Sequence, residues 1–222
     1  MTKLFEILAL SVSAGAFVYG IKYLFIRKIP KYFKLYTCAC GCYMLEELWT
    51  IVNSLLGNGA EDGLLTVRLF GFFGCLCFML SANANEFDSV VDEKKDQKVQ
   101  IYSLAAPILL TAVYSIFTLL VFHKISNMVI LFGFLALLPA LGSSYFSLKH
   151  LILPEDSLGF LRCTRKIDKT ALVFFAANYL YPIASLYFNP ITMGIYDILM
   201  GVILFIIIYQ CRKGAEKWPA LI

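Results

Sequence analysis

The apolar residues of this chain are not scattered; they fall in long blocks separated by short charged stretches. A helix needs about 20 such residues to cross roughly 30 Å of hydrocarbon. Seven blocks meet that length, at 4–26, 34–56, 64–84, 101–122, 127–148, 171–188 and 191–210. They leave short connections and no room for a sizeable soluble domain. The expectation is an all-α integral membrane protein, a single seven-transmembrane helix bundle over residues 1–222.

Composition agrees, with 60% apolar and 15% charged residues, whereas a soluble domain carries about a quarter charged. The net charge of +4 sits at the ends of apolar blocks, and no basic stripe is long enough to follow a phosphate backbone, so nucleic acid is excluded as a partner. The first block runs on past the small residues Ser11–Ala16, which predicts an uncleaved span, not a signal peptide. Only Phe188, Asn189 and Pro190 separate spans 6 and 7, which predicts a tight Asn-Pro turn.

Basic residues predict orientation. Arg27, Lys28, Lys31, Lys34, Lys94, Lys95, Lys98, Lys149, Arg162, Arg165, Lys166, Lys169, Arg212, Lys213 and Lys217 follow spans 1, 3, 5 and 7; only Lys3 and Lys124 fall on the other side. Cytoplasmic loops carry the excess of Lys and Arg, so the N-terminus is expected outside and the C-terminus in the cytoplasm. The basic stretches Arg27–Lys31 and Arg165–Lys169 precede spans 2 and 6, consistent with two parallel three-helix repeats, spans 1–3 and 5–7, joined by an inverting span 4. Prolines 107, 139 and 182 lie inside spans 4, 5 and 6, where kinks open space between helices.

Span 2 carries the most information. At helical spacing Tyr43, Glu46, Glu47, Thr50, Asn53 and Ser54 share one side, while Met44, Leu45, Leu48, Ile51, Val52 and Leu55 take the other. An ionisable residue in mid-membrane costs at least about 2.5–3.5 kcal/mol, so two adjacent acids need a reason. Arg68 in span 3 and Asp197 in span 7 lie at depths from which they could share one pocket with Glu46 and Glu47. One arginine cannot neutralise three carboxylates, so a proton or a cation is expected there too. Asn178 and Tyr181 in span 6 and Thr111, Tyr114 and Thr118 in span 4 are candidates to line the same space. The ligand-binding set is therefore Glu46, Glu47, Arg68, Asp197, Tyr43, Asn53, Asn178 and Tyr181.

Cys38, Cys40, Cys42, Cys75 and Cys77 fall at similar depth in spans 2 and 3, and thiols suit a soft metal such as Cu(I). Residues two apart on a helix point away from one another, and no Cys-x-x-Cys pair occurs, so no metal site is expected. The cofactor is left open by the sequence.

The Glu46-Glu47 pair resembles that of the CAAX-type intramembrane proteases, whose motif continues Glu-Glu-x-x-x-Arg with histidines on other spans. Ile51 stands at the arginine position and the histidines, His123 and His150, fall near opposite surfaces, so the resemblance ends there. No Ser/His/Asp set is legible either. Seven spans in a three-plus-one-plus-three plan resemble the sugar and vitamin facilitators and the PQ-loop proteins in architecture alone, for the chain has no Pro-Gln dipeptide. Three functions follow in order. The first is a transporter or facilitator for a small solute or cation. The second is a membrane sensor or regulatory subunit signalling to a cytoplasmic partner through 149–170. The third is a carboxylate-dependent membrane enzyme or a pore-forming assembly.

Overall fold

A computed structural model describes residues 2–25, 29–56, 61–87, 97–121, 127–153, 159–185 and 189–217. Those residues are helical almost throughout and contain no strand. The helices are α1 (Thr2–Leu24), α2 (Lys31–Leu56), α3 (Glu61–Ser81) running into a π-helical turn (Ala82–Phe87), α4 (Gln97–Ser103), α5 (Ala105–Val121), α6 (Asn127–Ile152), α7 (Gly159–Ser185) and α8 (Pro190–Lys217). Among the described residues three segments, Lys3–Leu24, Gln97–Ile116 and Ile191–Glu216, are long and apolar enough to cross a membrane.

Local chemistry accounts for the breaks. Pro107 has no N–H for the carbonyl of Ser103 and its ring crowds that carbonyl; the chain turns at Leu104, whose N–H bonds Ile101 O at 3.1 Å before the ladder resumes with Ile108 N to Leu104 O at 3.0 Å. Pro139 and Pro182 leave α6 and α7 unbroken. Asn189 caps α8, its Oδ1 accepting from Thr192 N at 2.9 Å and Thr192 Oγ1 at 3.0 Å, with Pro190 at the first helical position where no N–H is needed. Ser and Thr hydroxyls turn onto their own helix, as in Ser13 to Ala9 O and Thr37 to Phe33 O, which satisfies them without water.

Helix directions follow from the contacts. Phe5 lies against Gly194, Ser13 against Gly201 and Tyr23 under Arg212, so α1 and α8 run parallel. Gly20 meets Thr37 and Gly41 meets Phe17, which makes α2 antiparallel to α1; Gly71 meets Cys42 and Glu46, which makes α3 antiparallel to α2. Gly142 meets Leu80, so α6 runs parallel to α3. α7 packs on α6 and α8, and α5 packs on α6 and α7. Glycine lets these backbones approach closely: a Cβ at Gly194 would sit 2.5 Å from that of Phe5.

This alternation gathers one end of every long helix together. Lys31, Lys149, Arg165, Lys166, Lys169, Arg212 and Lys213 collect there, and Arg212 stacks 3.5 Å from the Tyr23 ring centroid. The stretch 149–170, read from the sequence as a loop, is largely helix, with α6 running to Ile152 and α7 starting at Gly159. Likewise α2 starts at Lys31 and α8 continues to Lys217, each beyond its apolar block. Hydropathy marks where lipid contact ends; the hydrogen-bond ladder continues past it.

The outer face of the bundle is largely apolar, and its mainly apolar and aromatic core also encloses polar side chains. Val18, Phe70, Ile108, Leu109, Leu119, Leu138, Val173 and Leu199 are exposed, whereas Ser13, Thr37, Glu46, Glu47, Asn83, Ser143, Ser147, His150 and Asp168 are buried. Soluble monomers rarely expose large contiguous apolar patches; this distribution is compatible with insertion in a membrane.

Candidate functional site

Glu46 and Glu47 stand near the middle of α2 and are 9% and 3% exposed. Glu46 is held at the tightest point of the α2–α3 crossing, where a Cβ on Gly71 would come within 2.9 Å of Cys42 O and 3.2 Å of Glu46 Cβ. Tyr43, one turn earlier and buried, meets the Phe174 ring edge-on at 5.9 Å. Because α2 and α7 run parallel at that contact, the next turn of each sets Glu47 level with Asn178.

A second register places Asp197. Tyr32 Oη donates to Cys211 O at 3.3 Å across antiparallel α2 and α8. Glu46 and Asp197 each lie fourteen residues from that contact, or about 21 Å along each helix axis. Asp197 is half-buried and falls within about one turn of the level of Glu46, on the α8 face that carries Leu204 and Cys211 at heptad spacing. Along the bundle axis Glu46, Glu47, Asn178 and Asp197 thus fall within about one to two turns of one another.

The remaining predicted residues fare differently. Asn178 Nδ2 donates to Phe174 O of its own helix at 2.8 Å. Thr111 is exposed and bonds Pro107 O. The side chains of Arg68, Asn53, Tyr181 and Thr118 lie outside the described residues. Cys40 and Cys75 are buried and Cys38, Cys42 and Cys77 half-buried, all as free thiols. Among the described residues no three His, Cys, Asp or Glu side chains are grouped to hold a metal ion.

A second polar site, not anticipated from the sequence, occupies the basic end. Tyr36 Oη of α2 donates to Asn83 Oδ1 at 2.8 Å. Asn83 Nδ2, in the π-helical turn, donates to Ser143 Oγ at 2.8 Å and Ser147 Oγ at 3.0 Å on α6. Ser147 and His150 in turn face the carboxyl of Asp168 on α7. His150 Nδ1 stands 3.5 Å from Asp168 Oδ2, long for a hydrogen bond, and both side chains are 0% exposed. Neither Asp168 oxygen receives a hydrogen bond of full geometry. Burial raises the Asp168 pKa, and His150 and Ser147 only partly oppose it. Serine, histidine and aspartate side chains do therefore meet, with Ser147 Oγ accepting from Asn83 Nδ2 at 3.0 Å and all three side chains buried.

The sequence signal for this site is slight. Ser143, Ser147 and His150 repeat at i, i+4 and i+7 on one face of α6, and the π-helical turn that aims Asn83 inward has no marker of its own. An apolar groove of about 310 Å³ lies beside it between α5, α6 and α7, lined by Leu109, Leu110, Ser144, Leu148, Leu172 and Phe175.

Comparison with protein-family models, with curated proteins and with solved structures finds no match for this chain.

Proposed function

We propose that this chain is a seven-span membrane protein that binds a small solute or cation in the carboxyl layer of its bundle and carries it across the bilayer as a transporter or facilitator. The observation that carries the reading is the burial of two successive acids, Glu46 and Glu47, in the middle of α2. Bundle stability alone favours apolar residues at that depth; carboxyl groups there are retained where they bind something positive or exchange a proton.

The seven rods are α1, α2, α3, α4 with α5, α6, α7 and α8. Their strict alternation puts the two termini at opposite ends, and the excess of basic residues assigns the end holding Arg212 to the cytoplasm. The packing supports two three-helix units. α1 packs on α2 and α8, α2 on α3, α6 on α7 and α3, and α7 on α8, pairs that map onto one another when α1, α2 and α3 are exchanged for α6, α7 and α8, while the α2–α8 contact has no comparable counterpart among the described residues. α4 and α5 are the added inverting span, and rocking of one unit against the other would expose the layer to each side in turn.

The test is ion and proton movement into liposomes containing the purified chain, driven by a potassium diffusion potential and followed with an internal pH dye. The assay is run alone and with pooled amino acids, sugars or organic cations outside. Glu46→Gln or Glu47→Gln should reduce the flux at least tenfold while the protein still folds. Flux equal in wild type and both variants would remove the layer from the mechanism. Liposomes that carry none, together with a soluble protein co-purifying through 149–170, would replace transport by sensing.

A further inference from the structure

We propose that the Asp168–His150 pair is a proton-binding site, and that the single proton it holds fastens α6 and α7 to α2 and α3 at the basic end of the bundle. This goes beyond the carboxyl layer, which lies several turns away, and holds whether or not that layer carries a solute.

The geometry has two parts. The first is a bridge. Tyr36 on α2 and Asn83 beyond α3 belong to one side of the bundle; Ser143, Ser147 and His150 on α6 and Asp168 on α7 belong to the other. Two hydrogen bonds cross between them, from Asn83 Nδ2 to Ser143 Oγ at 2.8 Å and to Ser147 Oγ at 3.0 Å, and Tyr36 Oη donates to Asn83 Oδ1 at 2.8 Å behind them. The second part is a carboxyl without adequate compensation: it is 0% exposed and its oxygens lack hydrogen bonds of full geometry. An ionised carboxylate in such a place is costly unless a positive charge sits beside it. Among the described residues the titratable groups facing Asp168 are His150 from α6, Tyr36 from α2 and Cys211 from α8, while Cys75 of α3 reaches Tyr36. Tyrosine and cysteine bring no positive charge. On its own helix Arg165, one turn earlier, donates to the carbonyl of Leu153.

Charge balance then requires one proton on the pair, either on the carboxyl or on the imidazole, and the two arrangements count the same. When the bridge opens and water enters, the two groups return toward ordinary values of about 3.9 and 6.5. Above pH of about 6.5 the separated pair holds no proton and the closed pair holds one, so closing takes up a proton from water and opening releases it. The closed form is therefore favoured at lower pH and weakens, up to tenfold per pH unit, as pH rises from about 6.5 through the raised value of the pair.

The chain has two histidines, which makes the test direct. The full chain, labelled with ¹⁵N-histidine and held in lipid nanodiscs, is titrated by NMR from pH 5 to 10, and His123→Gln assigns the signals. The pair should release its proton in one step above about 6.5, seen at the His150 ring nitrogens or, with ¹³C-labelled aspartate, at the Asp168 carboxyl, and Asp168→Asn should leave His150 titrating at or below about 6.5, the ordinary histidine value. In parallel, maleimide labelling of Cys211, read by peptide mass spectrometry, should be at least tenfold faster at pH 6 in Asn83→Leu than in wild type, because the bridge is cut. The proposal is overturned if neither the His150 ring nor the Asp168 carboxyl of the wild type titrates above about 6.5. It is equally overturned if Asn83→Leu leaves Cys211 as protected as in wild type. The wild-type titration decides the matter even if a variant fails to accumulate.

Discussion

The Tyr36 phenol donates to Oδ1 of Asn83 across 2.8 Å, joining the second helix to the π-helical turn that ends the third. Neither side chain is exposed. Tyr36→Phe would keep the ring packing and leave the amide oxygen buried without this donor, so a loss of about 1–3 kcal/mol is expected. Asn83→Leu should cost more, since it strips partners from Tyr36, Ser143 and Ser147 together. Unfolding in mixed micelles with increasing denaturing detergent measures both; a Tyr36→Phe protein as stable as wild type would show the bond contributes nothing.

Two glycines should respond in opposite directions. Gly71→Ala places a methyl group 2.9 Å from a backbone oxygen of α2, which cannot rotate away, and should cost about 1–3 kcal/mol while disturbing Glu46. Gly15→Ala meets nothing within 4 Å and sits mid-helix, so it should leave stability unchanged or raise it by up to about 1 kcal/mol. Melting temperatures of the two variants, compared with wild type in the same detergent, give the signs.

The cap of the last helix can be tested alone. Asn189→Ala removes the acceptor for Thr192 N and Oγ1 and should cost about 0.5–2 kcal/mol. Asn189→Asp keeps the acceptor and should restore most of it, a contrast that helix propensity would not produce.

The proposed carboxyl layer predicts coupling between Glu46 and Asp197. In a double-mutant cycle Glu46→Gln and Asp197→Asn should be non-additive by about 0.5 kcal/mol or more, as expected of neighbours and not of independent sites. The cycle is read from melting in detergent. Strict additivity would separate the two carboxyls and break up the proposed layer.

Much of the architecture was legible before any coordinates. Blocks of apolar residues announce helices of membrane length because each span must satisfy its own backbone, which leaves composition little choice. The polar stripe of span 2 predicted that Glu46 and Glu47 point inward, since a helix with two acids on one side cannot turn that side to an apolar surround. Asn189-Pro190 marked the start of α8 through cap chemistry that is wholly local.

Pro107 shows where local reading falls short: its missing N–H is in the sequence, yet Pro139 and Pro182 carry the same defect and their helices continue. Neighbouring packing decides which lost bond breaks a helix.

What the sequence determined, then, is where the apolar helical segments lie and which side of α2 shuns an apolar surround, because these depend on neighbours three and four residues away; how far each helix runs beyond its apolar block came from the structure. Tertiary structure alone decided that Tyr36, Asn83, Ser147, His150 and Asp168 meet. Their meeting depends on the register between helices and on an inward turn at Asn83, and hydrogen bonds between distant segments leave no periodicity for the chain to display.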